Sequence, residues 1–229
     1  MSARRRWRRR LAAGLAVLLL APPLVALASA FALRFVHPPV TALQAIRLVE
    51  GHGFTREIVP LAAMSPHLPR AVIAAEDNLF CRHRGVDWAA LRTEIERLRR
   101  GERARGASTL TMQLTRNLYL WPARSPVRKT LELALAPLVD LTLSKPRQLA
   151  LYLNHVEFAA GVYGAEAAAR HWFTTSAGAL DREQAATLAA LLPGPLLFSP
   201  ESPRVQHQRA RIRRRVDQLG RLLDCAPAP

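Results

Sequence analysis

Two carboxylates stand where water should be scarce. In AVIAAEDNLFCRHRG, residues 71–85, Glu76 and Asp77 interrupt an apolar run. Read as a helix, Leu68, Val72, Glu76 and Phe80 lie four apart and share one face, with Asp77 about 100° around from it. A carboxylate on an apolar stripe is costly unless it is paired, hydrogen-bonded or protonated. Such placement is also a way to tune a catalytic acid or base. A structural Glu paired with a buried Arg fits the same pattern. The second carboxylate, Glu132, stands alone in LELALAPL, with Arg128 and Lys129 four and three residues before it. An ordinary helix-surface ion pair contributes about 0.2–0.5 kcal/mol. A buried carboxylate holding a basic pair toward an anionic ligand would do more, and the spacing alone fits either.

Between the two acids lies GASTLTMQLTRN, dense in hydrogen-bonding groups: Ser108, Thr109, Gln113, Arg116 and Asn117. It is not a phosphate-binding loop of the GxxxxGK[ST] kind, so a nucleotide is not indicated. Neither HExxH nor CxxC occurs, so no firm metal site follows. His83 and Asp87 could ligate a cation, but His83 reads better as a structural hydrogen-bonder.

The elements that position these residues read as helices. Ser65-Pro66 fits an N-cap and first-turn proline opening a helix through Phe80. Asp87 caps a helix over 87–100. Residues from 100 begin flexible and basic and turn into a polar–apolar mixture over 109–119. Ser125-Pro126 starts VRKTLELALAPLVDLTL, apolar nearly all round and therefore expected to be buried. Ser144 caps the helix of PRQLALYLNHVEF. Gly161 and Gly164 mark a turn before AEAAARHWF. Asp181 and Gln184 form a capping box ahead of AATLAALLP. From Ser202 an Arg-rich amphipathic helix, a solvated or lipid-facing surface, runs to a frayed CAPAP. No β-hairpin signal stands out.

The chain has 229 residues and a formal charge of +16, with six Arg among the first ten. Residues 11–33 carry no charge. As a helix they span about 34 Å, enough for a hydrocarbon core of about 30 Å. The basic block before them keeps the N-terminus cytoplasmic by the positive-inside tendency. Ala28-Ser29-Ala30 resembles a cleavage site, but the apolar stretch is long for a signal peptide, and a retained anchor is the better reading. The expected organisation is a basic cytoplasmic N-terminus (1–10), a transmembrane anchor (11–33), a juxtamembrane connector (34–61) and one domain (62–229). An exported basic domain beside a membrane suits anionic lipid or pyrophosphate as partner and makes nucleic acid the least suitable. Cys81 and Cys225 are too few for a disulfide framework, and sequence cannot show whether they pair.

Five ordered motifs over residues 71–173 resemble those of the peptidoglycan glycosyltransferases, glycosyltransferase family 51. EDNLFCRHRGVD resembles ED-x-x-F-x-x-H-x-G, GASTLTMQLTRNLYL resembles G-x-S-T-L/I-x-x-Q, and RKTLE resembles R-K-x-x-E. SKPRQLALYLN resembles K-x-x-I-L-x-x-Y-L-N, and GVYGAEAAARHWF resembles the Gly-aromatic-Gly-helix motif. Met112, Gln148 and Ala150 depart from the usual residues. Single anchor, short length and lack of a transpeptidase domain resemble the monofunctional biosynthetic type.

The resemblance implies a mainly α, lysozyme-like domain that polymerises lipid II into β-1,4-linked glycan with inversion, releasing undecaprenyl pyrophosphate. It implies Glu76 as general base, with Glu132 as the second catalytic acid residue. Ser108, Thr109, Gln113, Arg116, Asn117, Arg124, Arg128 and Lys129 become substrate contacts. Asp77, Phe80, His83, Gly85, Tyr152, Asn154, Gly161 and Gly164 become framework residues of the motifs. No cofactor is required, though a divalent cation, Mg or Mn, could assist at the leaving group. The implied partners are lipid II, the growing strand, the membrane, and cell-wall synthesis or division proteins. The implied place is the bacterial inner membrane, single-pass, with the catalytic domain periplasmic. Two other readings stay open: a lytic enzyme on the same kind of fold, and a non-enzymatic membrane-anchored scaffold.

Overall fold

The computed structural model describes residues 3–102 and 106–228, apart from the side chains of residues 3–6, 18–19, 22–23 and 26–27. Residues 103–105, within the stretch expected to be flexible and basic, lie outside the described residues.

The domain is mainly helical. α1 (Ala3–Ala32) leads to α2 (Ala42–Val49), β1 (Thr55–Arg56), α3 (His67–Glu76), α4 (Trp88–Arg99), α5 (Leu110–Tyr119), α6 (Pro126–Thr142) and α7 (Lys145–His155). β2 (Glu157–Ala159) and β3 (Val162–Tyr163) precede α8 (Ala165–Phe173), α9 (Arg182–Leu191) and α10 (Pro203–Leu219). α3, α9 and α10 pack together, and α5 packs on α2, α6 and α7. Ala71, Ala74, Ala185, Ala186 and Ala189 are buried at 3 % exposure or less, so α3 and α9 approach closely. Leu68, Val72, Ile73, Leu188 and Leu191 fill the space around them. Each such aliphatic side chain contributes about 1.5–3 kcal/mol by leaving water.

α7 is the centre of the domain, buried from Gln148 to His155. Four polar side chains on one buried helix are tolerated because each has partners. Gln148 accepts from Thr111 Oγ1 (2.7 Å) and donates to Asp140 Oδ1 (2.8 Å) and Leu143 O (2.9 Å). Its departure from the usual aliphatic residue therefore has a structural use. Asn154 exchanges hydrogen bonds with the backbone of Val59, 2.9 Å each way. His155 lies between His37 Nδ1 (3.2 Å) and Arg56 Nη1 (3.1 Å).

Several expectations need correction. The helix carrying Glu76 ends there, with Asp77 in extended backbone, so Phe80 is buried in the following turn rather than on a helical row. Ser65 does not cap it: its hydroxyl donates to Leu180 O at 2.6 Å. α6 is not buried all round. Val127, Leu131 and Leu141 are exposed, while Arg128, Glu132, Ala136 and Val139 form the buried face. A small sheet of order β1-β3-β2 exists, with β2 and β3 antiparallel and β1 parallel to β3. The stretch read as a connector holds α2, with a Thr41–Gln44 capping box, and β1. The C-terminal CAPAP is tethered rather than frayed at its start, because Cys225 is bonded to Cys81 across 144 residues of sequence.

The caps at Asp87, Ser125 and Asp181 form as expected, accepting from Ala90 N, Arg128 N and Gln184 N. At the foot of α1, Ala30 and Leu33 are buried and Ser29 Oγ donates to Tyr119 Oη at 3.0 Å. Arg147 donates to Leu33 O and Val36 O, 2.7 Å each, and so satisfies carbonyls just past the helix end. Among the described residues no helix is long and apolar enough to cross a membrane. Six positions of the 11–33 stretch have side chains outside those described.

Candidate active site

Glu76 ends α3 at the wall of an open cleft of about 260 Å³, lined also by Arg47, Ser108, Gln113, Arg116, Asn117 and Glu157. Burial raises its pKa above the usual carboxylate range and Asp77 adds to that, while the Gln113 hydrogen bond and the Arg116 charge oppose it. Gln113 Nε2 donates to Glu76 Oε2 at 2.8 Å. Among the described residues the other oxygen, Oε1, takes no hydrogen bond. A carboxylate in this setting binds a proton more readily than one in water.

Asp77, one residue on, does a different job. Its Oδ2 accepts from Leu110 N and from His83 Nε2, 2.8 Å each. It thereby fixes the first turn of α5 against the loop after α3. Thr109, expected at the substrate, is 2 % exposed. Its hydroxyl donates to Gly85 O (2.6 Å) and accepts from Met112 N (3.1 Å), so it caps α5 instead. Gly85 has φ +83, and a Cβ there would lie 2.7 Å from Ala136 O, which only glycine avoids. Gly164, at φ +84, similarly brings the chain against Asn154 O. The turn at Gly161 accepts Thr55 N at 2.8 Å, joining β1 to the hairpin.

The second acid does not line this cleft; Lys129, which bonds it, reaches Ser108 on the cleft wall. Glu132, 2 % exposed, is bonded by Arg128 Nη1 and by Lys129 Nζ (3.0 Å). Arg128 Nε also donates to Ala123 O at 2.7 Å, and Lys129 Nζ to Ser108 Oγ at 2.7 Å. Burial, then the charges of Arg128 and Arg116, pull the Lys129 pKa down to about 8. Arg116 donates to Asn117 Oδ1 at 3.3 Å, and burial lowers its pKa while Tyr152 and Glu76 raise it. Arg124 is exposed, with no ion pair among the described residues. Motifs 39 or more residues apart thus meet: Tyr152 Oη donates to Gln113 Oε1 at 2.8 Å.

Sequence reasoning missed two cleft residues. Arg47 Nε pairs with Glu157 Oε2 at 3.2 Å, and Glu157 is 3 % exposed. Glu157 directly follows the LNHV stretch and carried a signal, an acid inside VEF. Arg47 carried none, since it lies on an ordinary amphipathic helix. No group of three or more His, Cys, Asp or Glu suited to a metal occurs among the described residues.

Glu76 thus shares one cleft with Arg47 and Arg116, while Glu132 holds Arg128 and Lys129 beside Ser108 of the cleft wall. The transglycosylase family profile matches residues 43–220, and the chain belongs to that family. It is thus a glycosyl-transferring enzyme, and its mainly helical architecture fits a transglycosylase domain. It is 47% identical over 211 residues to a biosynthetic peptidoglycan transglycosylase of Rhodospirillum centenum, covering 91% of this chain and 90% of that one. Proteins of the same name from Caulobacter vibrioides and Aeromonas hydrophila are each 44% identical. They cover 87% and 93% of this chain and 86% and 94% of their own.

Proposed function

We propose that the protein polymerises lipid II into β-1,4-linked peptidoglycan strands, with inversion at the donor sugar. The observation that carries this reading is Glu76: a carboxylate made basic by burial, one oxygen held by Gln113, at the wall of a cleft with Arg116. In the proposed reaction Glu76 takes the proton of the acceptor 4-hydroxyl. The oxygen attacks the donor anomeric carbon from the face opposite the carrier. The anomeric C–O bond breaks, and its electron pair leaves with undecaprenyl pyrophosphate. A positioned base contributes typically ~10²–10⁴-fold.

Arg116, Arg124, Arg128 and Lys129 are the groups proposed to meet the leaving charge, since Arg forks and ammonium groups match phosphate oxygens. Their roles differ in this proposal. Arg128 is spent on Glu132 and Ala123 O, so it acts mainly by holding Glu132; Lys129 would exchange its bonds to Ser108 and Glu132 for a ligand, and exposed Arg124 would turn to one directly. Glu132 orients the pair. Donor groups for a resident divalent cation are lacking in the described part of this site, because Glu132 is already bonded twice by cations. An assisting Mg or Mn ion would be held chiefly by the substrate phosphates, and no step depends on it here.

The proposed setting is the periplasmic face of a bacterial inner membrane, with α1 as a retained single anchor. Support comes from the uncharged 11–33 stretch, the exposed Leu11, Leu15, Val17, Leu20, Leu24 and Val25 on α1, and the exposed Val127, Leu131 and Leu141 on α6, against which α1 packs. A disulfide suits an oxidising compartment. Partners would be lipid II, the growing strand and other cell-wall synthesis or division proteins.

The test is purified protein incubated with labelled lipid II, products resolved by chain length. Wild type should give long strands and Glu76→Gln should lose at least ~10²-fold with unchanged circular dichroism. Near-normal polymerisation by Glu76→Gln would falsify the base assignment.

A further inference from the structure

Gln113 could point its amide either way. Its two ends are one acceptor and two donors of nearly equal size, so only the neighbours decide which end meets Glu76. On one side is the Glu76 carboxylate, whose Oε2 lies 2.8 Å from Gln113 Nε2. On the other is Tyr152 Oη, 2.8 Å from Gln113 Oε1. Tyr152 is 2 % exposed, on the most buried helix of the domain.

We propose that Tyr152 is a positioning residue that acts through Gln113, fixing the amide so that its N–H₂ faces Glu76 and the base is held ionised until the acceptor hydroxyl arrives. The proton count supports this. With Glu76 ionised, the phenol donates to Oε1, the amide donates to the carboxylate, and every hydrogen bond in the row has one proton. Flipping the amide would set its oxygen against a carboxylate oxygen and waste both contacts. Once Glu76 has taken the substrate proton, a flipped amide would meet the carboxylic O–H with its oxygen, but the buried phenol O–H would then lose its acceptor. The phenol therefore opposes a flip of the amide in either protonation state of the base. Burial holds the Tyr152 phenol well above its usual range, so it stays a proton donor throughout.

Other charges face Glu76 and bear on its titration. Asp77 adjoins it and Arg116 faces it from α5. Arg47 and Glu157 line the cleft on its open side. Arg211 and Arg215 of α10 line a second, smaller cavity, about 70 Å³, that Glu76 also borders. Tyr152→Phe leaves all of these in place and removes one hydroxyl.

The inference rests on Glu76 as base, and the experiment separates the two. The pH dependence of kcat/KM for lipid II polymerisation is measured for wild type, Tyr152→Phe, Gln113→Met and the double variant, with thermal melts for each. Losing a hydrogen bond that favours the ionised form should move the acidic limb of Tyr152→Phe upward by about 0.5–1 pH unit. In the Gln113→Met background the same substitution should move it no further, since the phenol then has no amide to orient. An unmoved limb in Tyr152→Phe, or an equal shift with and without Gln113, overturns the inference while leaving Glu76 as base. Full activity of Glu76→Gln removes the reading beneath it. If Tyr152→Phe melts too early to assay, Gln113→Met alone decides: an unmoved limb there overturns the inference equally.

Discussion

Lys129 offers a pH signature that no other group in the cationic rim can mimic. Burial and the charges of Arg128 and Arg116 bring its pKa to about 8, whereas arginines stay charged throughout the working range. Its ammonium is held by Ser108 Oγ and Glu132 Oε2, at 2.7 and 3.0 Å, and would turn to the pyrophosphate on binding. The sign follows directly. Only the protonated form donates three hydrogen bonds and carries charge, and that form is lost as pH rises through about 8. At pH 9, one unit beyond, about one enzyme in ten keeps the cation. The kcat/KM for lipid II should then fall about tenfold from its plateau, because this ratio reports the free enzyme.

Bound substrate changes the outcome in a way that can be checked. A pyrophosphate against the ammonium favours its charged form, so the limb in kcat should lie at higher pH than the limb in kcat/KM. Lys129→Arg should flatten the profile between pH 7 and 9, since a guanidinium does not titrate there, at some cost in rate from changed geometry. A kcat/KM profile of the wild type that is flat to pH 9.5 would refute the reasoning. So would an alkaline limb near 8 that survives in Lys129→Arg.

Two further outcomes follow from the buried groups. Glu132→Gln should cut lipid II polymerisation by about ten- to a hundredfold and cost stability, since it strips buried Arg128 of its carboxylate partner; Glu132→Asp should retain more of both. Wild type that releases soluble fragments from purified sacculi, with Glu132→Gln doing so equally, would favour the lytic reading instead. Replacing Cys81 and Cys225 together by Ser should lower the unfolding free energy by about 2–5 kcal/mol, because the bond closes a long loop in the unfolded chain; equal urea midpoints for the two proteins would count against a native bond.

Local chemistry was legible in the sequence where one residue decides it. Asp87, Ser125 and Asp181 cap helices because a side-chain oxygen three residues from a free N–H needs nothing else. The two acids were legible because a carboxylate among apolar residues breaks its surroundings. Elements set by partners were not. α3 stops at Glu76 because Asp77 is recruited by Leu110 N and His83, both distant in sequence or outside the helical pattern. α6 reads as apolar all round, yet its buried face is the charged one, since Arg128 and Glu132 neutralise each other there. β2 and β3 are two or three residues long, and β3 is paired on its other side by β1, more than a hundred positions earlier, so no period-2 signal could accumulate. The cysteine pair joins positions 144 residues apart, which no local pattern encodes.

The same logic explains why the site needed the fold and not merely the motifs. Glu76 and Glu132 are both buried carboxylates, but their surroundings push them apart. Glu76 meets one neutral amide and gains basicity from dryness. Glu132 meets two cations, Arg128 and Lys129, and holds them. α5 is what keeps these environments separate and adjacent. Its first turn is pinned by Asp77 and Thr109, which sets the rotation of the helix. That rotation sends Gln113 to Glu76 and, three residues further, Arg116 to the wall of the same cleft. A residue inserted between Thr109 and Gln113 would turn both side chains by about 100° while leaving every motif recognisable as text. The chemistry is therefore encoded as much in the capping of α5 as in the acids themselves.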